Sequence, residues 1–383
     1  TTWAGWKNPV PLKKLSEVPM LTTETAQDFG HQYLGTIDVS SSPPRGLSAR
    51  STQRLWTAYE RAKECFDHPS YGKGSFLRIS KYSDDIFAKH PWKSPFNRIV
   101  IEGDHYYRGK PPTPIVNVSL NEAYGETQSK IDDARHWFYY SSLEIAMGNP
   151  KYDPESSNTV VNTLNDWAAK DALSSGIRVS WGSRPVDWQV MTLIGAILYS
   201  TASVADQLNE DDRRLIGPWL NRLVKSIGSS YWMTRQDNKA YMRAYYVMLW
   251  GFMVGDKWAV QQSIDVYKHA INEMRPDGSF PIDSQRSGMG LKYGADSLGY
   301  LIYMVGLVKR NTGMPLENYS VDGRKLEQGV NYLLSAIKSP TEVNQRYAIP
   351  CPDGGDRWGS IKRPSRSFLT SSHFLRGLLA LVP

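Results

Sequence analysis

The chain has 383 residues, of which 40% are hydrophobic and 22% charged. That balance excludes a disordered chain and is long enough to bury a sizeable core. The 45 Lys and Arg exceed the 38 Asp and Glu, a formal +7, which suits an anionic partner. Nucleic acid is not expected, because no zinc-finger spacing, RNP-like motif, long basic run or phosphate-cradling glycine pattern accompanies the excess. Two cysteines, Cys65 and Cys351, exclude a disulfide-rich scaffold and a cysteine-built zinc site, and their pairing stays open.

No apolar run reaches the roughly 18 residues of a membrane-crossing helix, so no membrane partner is expected. A start at Thr1 without Met fits a mature secreted protein or a trimmed chain. Thirteen Trp and 22 Tyr stand against 10 Phe, a bias toward aromatics with a polar edge that suits a wet groove for ring-shaped ligands.

Along the chain, residues 1–50 are polar and Pro-containing and read as an extended arm. A helix is predicted near 51–67, with Ser51 as its N-cap. Residues 68–125 are rich in Gly, Pro, Tyr and Asp around the apolar run Ile99-Val100-Ile101, a long irregular segment of the kind that is functional or packed over a core. Helical periodicity then continues almost to the end, near 127–147, 157–172, 186–206, 210–229, 239–254, 257–275, 290–311, 324–337 and 366–381. Four apolar sets carry it: Val190, Leu193, Ile194, Ile197, Leu198; Tyr241, Tyr245, Met248, Leu249, Phe252; Leu298, Leu301, Ile302, Val305; and Leu326, Val330, Leu333, Leu334, Ile337. No fixed-length repeat is visible, which argues against a regular solenoid. An all-α single domain over 1–383 is expected, either an irregular bundle or a toroid of antiparallel helix pairs.

Two segments place polar groups at helix starts. Arg235-Gln-Asp-Asn-Lys-Ala-Tyr241 puts Asp237, Asn238 and Lys239 where a helix begins, and either Asp237 or Asn238 reads equally well as an N-cap. Arg275-Pro-Asp-Gly-Ser-Phe-Pro-Ile-Asp-Ser-Gln-Arg286 opens with a Pro-Asp-Gly turn and delivers Arg286 shortly before a helix whose first turns carry Tyr293. Taken alone, Arg286 reads as a surface arginine and Tyr293 as a core tyrosine.

Together the two segments resemble the alginate lyase superfamily, polyuronate lyases with an (α/α) toroid fold. In that family an Asn-His pair followed by a Tyr opens one helix, and further on an Arg precedes the catalytic Tyr by seven residues. Asn238, Tyr241, Arg286 and Tyr293 match those positions, and an Asp-Gly-Ser-Phe-Pro turn precedes the Arg. The resemblance is firm over 231–310 and loose over 127–230. It departs at one point, where Lys239 replaces the family's His. Either Lys239 supplies a charge-neutralising cation, or a different histidine, His136 or His105, enters the site, or the activity is lost or changed.

The resemblance implies a secreted or periplasmic lyase that cleaves a β-1,4-linked polyuronate such as alginate or glucuronan by β-elimination, as a monomer and without metal or organic cofactor. Asn238, Lys239 and Arg286 would neutralise the uronate carboxylate, and Tyr293 would act as base and then acid. Arg286 would stabilise the Tyr293 phenolate. Arg184, in the loop after Trp181-Gly-Ser, heads the expected substrate-binding residues, with Tyr241, Trp181, Trp188, Arg135, His136 and Tyr246; for the aromatics, core packing is the competing reading. Two other functions remain open: a helical-toroid glycoside hydrolase with paired carboxylates drawn from Asp187, Asp237 and Asp283, and a uronan-binding protein without turnover.

Overall fold

The computed structural model describes residues 99–101, parts of 134–145, then 154–173, 177–179, 187–228, 237–349, and 361, 362 and 364. The expected helices near 51–67 and 366–381, the arm 1–50, both cysteines and nearly all of 68–125 lie outside the described residues. The chain divides into two compact units, one ending at Ile227 but also taking in Met253–Gly255, the other holding 228–252 and everything from Asp256 onward.

In the first unit, α1 (Pro154–Ala169) packs against both α2 (Asp187–Ser203) and α3 (Glu210–Ile227). Leu193, Ile194, Ile197 and Leu198 are buried, as their 3.6-residue period predicts. Trp167 stands edge-on to Phe138, ring centres 5.2 Å apart, and the buried Trp219 satisfies its indole N–H on the Ala172 carbonyl at 2.7 Å. Asn209 caps α3: its Oδ1 accepts the backbone N–H groups of Asp211 and Asp212, while Asp212 reaches back to the Asn209 N–H. The apolar run 99–101 forms strand β1 (Ile99–Ile101), paired in parallel with β2 (Ile177–Val179).

The second unit holds α4 (Asn238–Val254), α5 (Lys257–Glu273), the short α6 (Pro281–Ser284), α7 (Gly290–Thr312), α8 (Leu326–Lys338) and the short α9 (Pro340–Gln345). The long α7 touches α5, α6, α8 and α9, and Leu298, Leu301, Ile302 and Val305 are fully buried along it. Tyr241, Tyr245, Met248, Leu249 and Phe252 are likewise buried on α4.

The inner face of α8 differs from the expectation. Leu326 and Leu333 are buried, but Val330 is half-buried and Leu334 and Ile337 are exposed. Gly329, Tyr332 and Ala336 face inward instead. A side chain at Gly329 would already meet the Leu298 side chain at 3.1 Å, so α8 comes close to α7 there. The face centred on this contact carries Leu326, Gly329, Tyr332, Leu333 and Ala336, and Leu334 and Ile337 fall outside it.

Candidate active site

Asp237, not Asn238, is the N-cap of α4. Its carboxylate accepts the Ala240 N–H at 3.1 Å and its carbonyl accepts the N–H groups of Ala240 and Tyr241. Capping by Asp237 leaves the Asn238 side chain for other use. Asn238 is buried at the first helical position, and its Oδ1 accepts a hydrogen bond at 3.3 Å from Arg286 Nη1, 48 residues further along the chain.

The path to Arg286 is held in detail. After α5 the chain reverses through a turn in which Gly278 N–H donates to the Arg275 carbonyl and Ser279 N–H to the Asp277 carboxylate. Arg275 clamps the exit by donating to the hydroxyls of Ser279 and Ser284 while stacking on Tyr347 at 3.9 Å. Helix α6 then leads to Arg286, whose backbone bridges Ile349. Ser287, the next residue, has φ +46, a left-handed conformation that costs a β-carbon residue about 1–3 kcal/mol. Asn344 secures it by donating to the Ser287 carbonyl at 3.1 Å.

This strained joint turns the guanidinium of Arg286 over the ring of Tyr293, with Cζ 3.7 Å from the ring centre. Lys292 Nζ lies 4.9 Å from the same centre and also pairs with Asp296 at 2.8 Å. Two cations thus lie beside one phenol ring. Arg286 itself is 6% exposed, whereas Tyr293 and Lys239 are half-buried, so the site has a buried cationic floor and a reachable phenol.

Asp283 lies beneath this group, fully buried, with Oδ1 3.5 Å from Arg286 Nη1 and Oδ2 accepting the Ser297 hydroxyl at 2.5 Å. Burial pushes its carboxyl up to about 7 and nearby Asp237 adds to the rise, while Arg286, Ser297 and the backbone of Asn238 pull it back. The sequence offered Asp283 only as a hydrolase carboxylate; its place three residues before Arg286 is the one signal that ties it to the guanidinium.

The expected substrate-binding residues fall differently. Tyr241 is 1% exposed, packs against Phe280 and keeps its proton, because burial together with Asp283, Asp237 and Glu273 pushes its hydroxyl well above the ordinary range. Tyr246 is 4% exposed and belongs to a group of tyrosines with Tyr245, Tyr300 and Tyr303. Arg135 and Trp188 stand on helical segments of the first unit. His105, His136, Trp181 and Arg184 lie outside the described residues. Among the described residues no cluster of His, Cys, Asp and Glu is arranged to hold a metal ion.

A family model described as alginate lyase matches residues 148–343, just over half of the chain and inclusive of every residue of this constellation. The chain belongs to the alginate lyase family. Within it, the chain is 24% identical over 220 residues to a polysaccharide lyase of Stenotrophomonas maltophilia (strain K279a), covering 53% of this chain and 66% of that protein. It is 23% identical over 193 residues to an alginate lyase of Pseudomonas syringae pv. syringae, covering 49% and 50%. The chain thus spans about half to two-thirds of the length of these relatives.

Among solved structures, alginate lyase A1-III from Sphingomonas species A1 superposes with a TM-score of 0.56 at 18% identity, over 81% of this chain and 85% of that one. A tyrosine-to-phenylalanine variant of A1-III complexed with a tetrasaccharide gives 0.53 at 18% identity, over 79% and 84%. The fold of this family member is therefore the all-α, (α/α) toroid class that the resemblance implied.

Proposed function

We propose that the protein is a secreted or periplasmic polysaccharide lyase that cleaves a β-1,4-linked polyuronate, alginate or glucuronan, by β-elimination. The observation that carries this reading is the double engagement of Arg286, stacked on Tyr293 and hydrogen-bonded to Asn238. It gathers a carboxylate-binding amide, a cation and a phenol from three separate elements. Family membership and the relatives named as lyases support the same chemistry.

The C5 proton of a uronate lies next to an anionic carboxylate, and its removal adds charge to a group that already carries some. The Asn238 amide N–H and the ammonium of Lys239 bind that carboxylate and spread the charge of the enolate. Lys239 occupies the helix position after Asn238, where the resemblance has a His, and as a compact cation it neutralises charge there. Tyr293, as phenolate, takes the C5 proton. The electron pair left on C5 forms the C4–C5 double bond as the C4–O4 bond breaks, and the Tyr293 hydroxyl returns the proton to O4. One end is a new hydroxyl terminus and the other an unsaturated uronate; the phenolate is regenerated.

Asp237 and Asp283 are poor glycosidase carboxylates here, since one caps α4 and the other pairs with Arg286. A panel of mannuronan, alginate and glucuronan tests the proposal. New ultraviolet absorbance from a conjugated enuronate is expected on at least one of them. New reducing ends without that absorbance would replace elimination with hydrolysis, and binding with no product would leave a uronan-binding protein.

A further inference from the structure

Among the described residues, the fully buried carboxylate of Asp283 contacts Arg286, the backbone of Asn238 and, through Ser297, the helix that carries Tyr293. Asp283 faces the guanidinium of Arg286 through Oδ1 and receives the Ser297 hydroxyl through Oδ2. Ser297 stands four residues, one helical turn, after Tyr293 on α7. The backbone N–H of Asn238, at the start of α4, also favours the Asp283 carboxylate. One side chain is thereby tied to the segments that carry the amide, the cation and the phenol.

We propose that Asp283 is the positioning residue of this site: its ionised carboxylate holds the Arg286 guanidinium in the pose that stacks on Tyr293 and meets Asn238. The inference rests on the lyase reading for its kinetic consequences. The pair, at 3.5 Å, acts through charge, and buried opposite charges attract where a neutral acid does not. Protonated Asp283 keeps Ser297 and loses its charged grip on Arg286, so turnover falls as Asp283 takes up a proton.

The groups that set this titration come from several elements. Arg286 on the loop after α6 lowers it, and Asp237 at the start of α4 raises it. Tyr241, also on α4, faces both carboxylates and stays neutral, with Glu273 of α5 acting on the same hydroxyl. From α7 the facing group is the uncharged Ser297, and the charged pair nearest the site on that helix, Lys292 and Asp296, is joined to itself. With the carboxyl at about 7 in the substrate-free protein, the acid limb of kcat/KM, which reports the free enzyme, lies in the neutral range.

The test uses the full chain, on the uronan that the panel identifies. Asp283→Asn is expected to lower kcat by roughly 100-fold, the cost of a misplaced catalytic group, with KM little changed and the neutral-range acid limb gone. Ser297→Ala removes a hydrogen bond that favours the carboxylate, so its acid limb moves to higher pH while the alkaline plateau survives. Wild-type kcat and limb in Asp283→Asn would overturn the proposal. So would a limb that stays put or moves to lower pH in Ser297→Ala, and this second variant decides the matter if Asp283→Asn does not fold. If the wild type yields no enuronate from any uronan, the lyase reading fails separately. Carboxyl-carbon NMR of the substrate-free protein then reads Asp283 directly. A midpoint in the neutral range that rises in Ser297→Ala upholds the assignment, and its absence overturns it.

Discussion

The Tyr293→Phe protein is expected to fold, bind uronan and turn it over roughly 100- to 10,000-fold more slowly than the wild type, the range for loss of a positioned acid–base group. The substitution removes one hydroxyl and keeps the ring. Arg286 stacks on that ring at 3.7 Å, and a phenyl face attracts a guanidinium nearly as well as a phenol face. Asn238 and Lys239, the groups assigned to the uronate carboxylate, are untouched. KM or a directly measured Kd should therefore move little while kcat collapses, the signature of an interaction made only in the transition state. Enuronate absorbance under saturating substrate gives kcat, and calorimetric titration of an oligouronate gives Kd. Turnover within tenfold of wild type would remove Tyr293 from the chemistry. Loss of binding together with turnover would make the hydroxyl a substrate ligand instead.

The amphipathic helices of the second unit were legible because burial repeats along them. Leu298, Leu301, Ile302 and Val305 announce α7 without reference to any other segment. Asn238, Arg286 and Tyr293 were legible for another reason, the resemblance of their spacing to the alginate lyase family, and the structure brings all three together. What stayed hidden depends on contacts between distant residues. Helices α6 and α9 have four and six residues, too few to show a period. The inward face of α8 is centred on a close contact with α7 that no local pattern encodes. Asp283 reads in sequence as no more than a candidate hydrolase carboxylate and becomes a buried partner of Arg286 only when the chain closes. Tyr246 shows the same ambiguity, since a tyrosine in a core and one in a sugar groove have the same local signature; here its ring lies among other tyrosines.

Gly278→Ala is expected to cost more than about 4 kcal/mol of stability, beyond the ordinary range for single substitutions, and to lower activity with it. Gly278 has φ +91, and a β-carbon there would stand 2.0 Å from the Gln328 carbonyl oxygen and 2.3 Å from its carbon. These are backbone atoms in the first turn of α8, so no side-chain rotation relieves the clash. Either the 275–279 turn opens or α8 shifts away from α7. The turn feeds α6, which carries Asp283, and then Arg286, so its opening also displaces the guanidinium from Tyr293. Gly323→Ala separates the two sources of cost. Gly323 has φ +75 with open space around its β position, so only the left-handed backbone is penalised, by about 1–2 kcal/mol. Urea midpoints of the two variants should differ accordingly, with kcat reduced in Gly278→Ala and kept in Gly323→Ala. Equal losses would mean that α8 yields easily at this contact and that the turn, not the packing against Gln328, is what holds the approach to Arg286.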